Sequence, residues 1–245
     1  MREGYMAQVK FTADGRELTA EEGQTLLPVL LAARFDIPHM CFNEEMHPYG
    51  ACRLCLVEVE QDGRRRVHTS CSFPVAGGIK VFTDTELLKN HRRMVAELLL
   101  ARCPEVKEVR VLAAKLGVEG AGRFAKKDEG CILCGLCTRA CEQVVGVSVI
   151  SFVDRGPDKV VGTPFLDKSE VCIGCGSCAF VCPVNYIKIE EDERTRRLPQ
   201  WKVEFEMARC KKCGQKIAPK KELEFLAKRA KGLPEGWFDV CQNCR

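Results

Sequence analysis

Two stretches decide the reading: Cys131-Ile-Leu-Cys134-Gly-Leu-Cys137-Thr-Arg-Ala-Cys141 and Cys172-Ile-Gly-Cys175-Gly-Ser-Cys178-Ala-Phe-Val-Cys182-Pro183. Both follow C-x2-C-x2-C-x3-C, a spacing that grips iron–sulfur cubes. Three thiolates two residues apart wrap a tight loop around three corners of a [4Fe–4S] cluster, with backbone N–H groups turned toward the sulfides. The fourth thiolate opens a helix that must leave at once, so it reaches the neighbouring cluster. The spacing therefore predicts one [4Fe–4S] cluster on Cys131, Cys134, Cys137 and Cys182. It predicts a second on Cys172, Cys175, Cys178 and Cys141. Gly135, Gly174 and Gly176 let the chain come close to the inorganic core. Paired zinc sites or disulfides are the competing reading, and two tandem four-thiolate motifs argue against both.

Outward from these runs, the composition sets bounds. The chain has 245 residues, room for two or three small domains. With 46% hydrophobic and 29% charged residues it reads as globular rather than disordered. Residues 1–10 have charge at both ends and no apolar centre, so no leader peptide is expected. The longest apolar run, residues 26–33, is too short for a bilayer, which takes about 20 residues. A reducing, cytoplasmic location is expected, where Cys-x2-Cys pairs mean metal rather than disulfides. The net charge of +4 gives no case for nucleic acid.

Cysteine spacing is the sharpest constraint. Of 17 cysteines, sixteen fall into four groups of four. Two are the runs above. The others are Cys41, Cys52, Cys55 and Cys71, and Cys210, Cys213, Cys241 and Cys244, which leaves Cys103 alone.

The N-terminal part reads as strand, turn, strand and helix. Residues 8–11 alternate, Asp14-Gly15 is a hairpin signal, residues 16–19 return, and residues 25–35 are apolar at helical spacing with Pro28 near the start. Residues 56–60 and 64–69 form a second hairpin about Asp62-Gly63, and residues 79–83 a further strand. This order predicts a β-grasp. Its cysteines, Cys41-x10-Cys52-x2-Cys55-x15-Cys71, supply the four thiolates of a [2Fe–2S] cluster, with Gly50 at a bend before the tight pair. A four-cysteine zinc site is the alternative.

This N-terminal spacing, followed by two ferredoxin runs with Cys141-Glu142 in place of Cys-Pro, resembles one family. It is similar to the iron–sulfur subunits of NAD-linked hydrogenases, and to the N-terminal part of the large iron–sulfur subunit of respiratory NADH dehydrogenase. The phrase Gly146-Val-Ser-Val-Ile-Ser-Phe152 carries the likeness too, which covers residues 8–190. The family usually holds an extra [4Fe–4S] cluster on one histidine and three cysteines, H-x3-C-x2-C-x5-C. Here His91 is followed four residues later by Val95, and Cys103 is the one thiol up to Pro104. That cluster is predicted absent. Residues 85–102 read instead as an amphipathic helix with Glu86 early and Arg102 late, as the helix dipole favours. His91 is expected on its surface and Cys103 as a buried free thiol.

Residues 106–127 are basic, with one short helix. Gly120-Ala-Gly122-Arg-Phe-Ala125 is half a dinucleotide fingerprint without a preceding strand, and is assigned to chance. Residues 149–153 and 159–161 should form a hairpin about Gly156-Pro157, and residues 186–189 the closing strand of the ferredoxin unit. Residues 201–205 alternate as a strand. Two knuckles, Cys210-Lys-Lys-Cys213 and Cys241-Gln-Asn-Cys244, then flank a basic helix at 220–231. They suit one tetrahedral ion, zinc first, with a single iron or a further cluster as alternatives.

The expected architecture is α+β in four parts. They are a [2Fe–2S] β-grasp domain (1–84), a helical linker (85–127), a two-[4Fe–4S] bacterial-ferredoxin-like domain (128–192) and a zinc-ribbon-like tail (193–245). The resemblance implies an electron-transfer subunit without a catalytic site of its own. Its partners would be a flavin- and NAD-binding iron–sulfur subunit and a hydrogenase or formate dehydrogenase catalytic subunit. The missing middle cluster and added tail suggest a branched, electron-bifurcating complex. Two other readings stay open. One is the iron–sulfur subunit of succinate dehydrogenase or fumarate reductase, whose first spacing is tighter. The other is a non-redox zinc adaptor.

Overall fold

The computed structural model describes residues 7–124 and 127–245. Two compact units divide the chain, Met1–Gly135 and Leu136–Arg245. Within the stretch Gly120–Ala125, Ala125 therefore lies outside the described residues.

In the first unit, β1 (Gln8–Ala13) and β2 (Arg16–Glu21) form a hairpin, followed by α1 (Leu26–Ala32). A second hairpin joins β3 (Leu56–Gln61) to β4 (Arg64–Thr69), and β5 (Lys80–Phe82) closes the sheet. The order is β2-β1-β5-β3-β4, with β1 and β5 parallel and every other pair antiparallel. Both hairpin turns put two residues at positive φ, Asp14-Gly15 and Asp62-Gly63, as the tight turn that matches strand twist requires. Leu26, Leu27 and Leu30 of α1 pack on Phe11, Val57, Val59, Ile79 and Val81 of the sheet side. Each such side chain contributes about 1.5–3 kcal/mol by leaving water. This is the expected β-grasp.

Helix α2 (Glu86–Arg102) starts at Thr85, whose hydroxyl accepts from Leu88 N at 3.3 Å. Its buried stripe is Leu88, Arg92, Ala96 and Leu100, and α3 (Lys107–Lys115) follows. Arg92 donates to Leu56 O at 2.6 Å, tying α2 to the edge of β3. The linker thus belongs to the first unit. His91 is half-buried, with a buried Nδ1 that has no hydrogen-bond partner, rather than lying on the surface. The reason is helical geometry: position 91 is three residues past Leu88 and flanks the buried stripe.

In the second unit, α4 (Leu136–Arg139) runs into a π-helical turn, Ala140–Val145, that carries Cys141. The hairpin β6 (Ser151–Val153) and β7 (Val160–Gly162) forms as expected, and α5 (Ser177–Phe180) carries Cys178. The expected closing strand at 186–189 does not form. Instead the Gln200 side chain takes the place of a strand partner: its amide donates to Tyr186 O at 2.9 Å and accepts from Lys188 N at 3.0 Å. The next strand, β8 (Glu190–Glu191), pairs with β9 (Thr195–Leu198). They join β10 (Val203–Arg209) and β11 (Lys216–Pro219) in a sheet of order β11-β10-β9-β8. The expected boundary at 192–193 therefore falls inside a sheet. Trp201 sits in a helical turn, Pro199–Trp201, before β10 rather than in the strand. Helix α6 (Lys220–Arg229) follows β11. No helix among the described residues is long and apolar enough to cross a membrane.

Candidate metal centres

Among the described residues no cysteine is in a disulfide, so the thiols are chemically available as ligands. Their settings differ in ways that bear on what each group could hold.

Cys41, Cys52, Cys55 and Cys71 are all buried, between 1% and 8% exposed. The β3–β4 register makes this local. It pairs Leu56 with Thr69, which sets Cys55 and Cys71 beside each other at the hairpin base. Ser70, fully buried, donates both its N–H and its hydroxyl to Cys55 O at 2.8 Å. Across the site, Cys52 N–H donates to Cys41 Sγ at 3.4 Å. A thiol hydrogen bond from Cys71 lowers the Cys55 pKa to about 6. The Cys52 and Cys71 thiols are pushed far up, by bonding to Cys41 and Cys55 respectively and then by burial. Four thiols this close cannot all ionise in an apolar core unless a cationic centre compensates. Cys55 and Cys71 belong to the hydrophobic core itself, so bulk solvent does not supply that compensation.

In the second unit Cys141, Cys172, Cys175 and Cys178 line one apolar cavity, walled by Val145, Val149, Ile150, Ile173, Leu198 and Trp201. Burial raises the Cys172 pKa and pushes Cys178 up to about 11. Donors face the sulfurs: Val149 N–H reaches Cys141 Sγ at 3.2 Å, and the Trp201 indole N–H reaches Cys178 Sγ at 3.4 Å. Such donors stabilise negative sulfur and are what a cluster cradle needs. Cys131 and Cys134 end the first unit and Cys137 stands at the start of the second, with Cys134 and Cys137 buried. Leu133 N–H donates to Cys131 Sγ at 3.4 Å, and Tyr186 N–H to Cys182 Sγ at 3.3 Å.

The C-terminal group is different. The sulfurs of Cys210, Cys213, Cys241 and Cys244 all lie within 4.8 Å of one another, with Cys213 Sγ and Cys241 Sγ 3.6 Å apart. One tetrahedral ion with bonds of about 2.3 Å holds its sulfurs about 3.8 Å apart. A cluster spreads its four thiolates over two or four irons, so sulfurs that all lie this close suit a single ion. Cys210 and Cys241 are buried and Cys213 is exposed. Backbone N–H bonding, first from Cys241, holds the Cys210 pKa down at about 6, and thiol bonding to Cys213 and Cys241 pushes Cys244 up to about 12.

The extra family cluster does not fit this chain. On α2 and its end, Val95 offers no ligand, and Cys103 is a fully buried thiol whose pKa burial raises to about 12. Trp201, Gln200 and Ser70 were not legible as site residues, because each acts on a partner 12 or more residues away.

Two family models match. One, described as a 2Fe-2S iron-sulfur cluster binding domain, covers residues 6–86, and one described as a 4Fe-4S dicluster domain covers residues 171–217. The second match begins at the Cys172 run and extends through the first knuckle. An NADH-quinone oxidoreductase chain of Rhizobium meliloti (strain 1021) is 32% identical over 203 residues, 72% of this chain and 23% of that protein. NADP-reducing hydrogenase subunit HndD of Solidesulfovibrio fructosivorans is 32% identical over 209 residues, 73% of this chain and 35% of that protein. The crystal structure of an NAD+-reducing [NiFe]-hydrogenase in the H2-reduced state aligns with a TM-score of 0.55 at 30% identity, covering 64% of this chain and 75% of the other. The chain thus spans between 23% and 35% of the length of these curated relatives.

Proposed function

The chain belongs to the iron–sulfur subunits shared by NAD(P)-linked hydrogenases and NADH-quinone oxidoreductase, and from that premise we propose that it relays electrons through three clusters. A [2Fe–2S] cluster sits on Cys41, Cys52, Cys55 and Cys71. One [4Fe–4S] cluster sits on Cys131, Cys134, Cys137 and Cys182, and the other on Cys172, Cys175, Cys178 and Cys141. The observation that carries this reading is the apolar cavity that gathers Cys141 from one run with three cysteines of the other, the ligand exchange that paired cubes require. Zinc in the C-terminal knuckle is structural, a reading supported by sulfurs packed within 4.8 Å.

Bound clusters supply one-electron transfer. The chain's own residues hold the thiolates, exclude water and set the potentials with N–H donors. Centres of plant [2Fe–2S] type lie near about −400 mV, a range suited to nicotinamide and hydrogen chemistry. The partners are a flavin- and NAD-binding iron–sulfur subunit and a hydrogenase or formate dehydrogenase catalytic subunit, in the cytoplasm. The relatives named for hydrogenase and NADH oxidoreductase activity support this placement.

The test is anaerobic purification of the full chain alone. Reduction by dithionite should give three electron-spin signals, one [2Fe–2S] and two [4Fe–4S], whereas NADH alone should reduce none. Turnover of NADH by the isolated chain would overturn the relay reading.

A further inference from the structure

The C-terminal extension converges on the segments that carry the second set of cluster cysteines. Arg196 donates to Gly174 O at 3.0 Å, inside the Cys172–Cys175 loop. The Phe205 ring lies so close over Gly174 that a Cβ there would stand 2.6 Å from it, and Gly174 has φ +77°, so only glycine fits. Arg229 of α6 donates to Val145 O at 2.8 Å, at the end of the π-helical turn bearing Cys141. Trp201, 2% exposed, donates its indole N–H to Cys178 Sγ at 3.4 Å and walls the same cavity. Four side chains from one extension therefore hold the loop, the turn and one sulfur of a single site.

We propose that this extension sets the reduction potential of the cluster on Cys141, Cys172, Cys175 and Cys178, acting most directly through the Trp201 indole N–H. The proposal rests on those four cysteines holding a [4Fe–4S] cluster. Reduction adds an electron to an anionic core in an apolar cavity, and burial opposes that added charge. A hydrogen bond to a ligating sulfur draws negative charge off the cluster and favours the reduced form. Indole suits the task because it is a donor with no acceptor role, and its buried N–H must find a partner. Arg196, ion-paired to Glu191 and Glu222, holds the loop carbonyl in place rather than adding charge. Trp201 is a positioning residue: it shapes the potential and takes no electron itself.

The test is W201F, which keeps an aromatic ring and removes the donor. Redox titration of the anaerobic full chain, followed by electron spin resonance, should show one [4Fe–4S] midpoint moved to more negative potential. The [2Fe–2S] and the other [4Fe–4S] midpoints should stay in place, with iron content unchanged. Three unmoved midpoints in a fully loaded variant would overturn the proposal. If W201F loses iron instead, protein labelled with 15N at the indole nitrogens decides, with W237F removing the second of the two tryptophans. A nitrogen hyperfine coupling to a reduced cluster supports the bond, and its absence overturns it. Wild-type chain lacking any [4Fe–4S] signal would sink the ligand assignment itself, a result distinct from an unmoved midpoint.

Discussion

The two four-cysteine groups nearest the chain ends match in number and differ in spacing and in surroundings. The N-terminal four are buried in a hydrophobic core and tied by a hairpin register. The C-terminal four sit on two knuckles, one cysteine exposed, with all sulfurs within 4.8 Å. Among the described residues no other group of three or more metal-binding side chains packs so tightly. The difference teaches that thiol count does not fix the metal. Packing bears on it: a site wholly inside the core suits a cluster shielded from water, and sulfurs all within 4.8 Å of one another suit one ion.

The largest expected effect breaks the core site. Cys71→Ser should remove about two iron atoms per chain and the [2Fe–2S] signal while leaving the zinc in place. Iron and zinc analysis with spectroscopy checks this. Cys213→Ser should do the converse, releasing zinc and lowering the thermal midpoint with iron retained, because structural metal binding is folding energy.

Leu30→Ala acts on the first site through packing alone. Leu30 is fully buried against the sheet that frames the first site, so the variant should lose about 2–5 kcal/mol in denaturant unfolding and bind the N-terminal cluster less firmly. Acid should weaken the metal-free C-terminal site over the same window that the Cys55 pKa of about 6 sets for the N-terminal one. In zinc-stripped chain the Cys210 pKa is lowered to about 6, so its stabilising contribution is whole above the unfolded thiol value of about 8.5. That contribution should fade as pH falls toward about 6 and be gone below it, read as a falling thermal midpoint of the stripped chain. The smallest effect is Thr85→Ala, about 1 kcal/mol, from loss of the α2 cap.

How much was legible follows from range. The hairpins at Asp14-Gly15 and Asp62-Gly63 and the helix with Glu86 early and Arg102 late are local patterns, and the elements they predict form. What escaped depends on distant partners. Residues 186–189 have a strand-like sequence, yet Gln200 satisfies their backbone and β8 turns to β9. His91 reads as a surface residue until the burial of α2 against the sheet side is known. Trp201 reads as the start of a strand, and its sulfur partner lies 23 residues away.

The most direct test of cluster binding is quantitative metal analysis of the full chain purified without oxygen. About ten iron atoms and one zinc per chain are expected, with acid-labile sulfide. A colourless protein carrying zinc and no iron at Cys131 and Cys172 would contradict cluster binding.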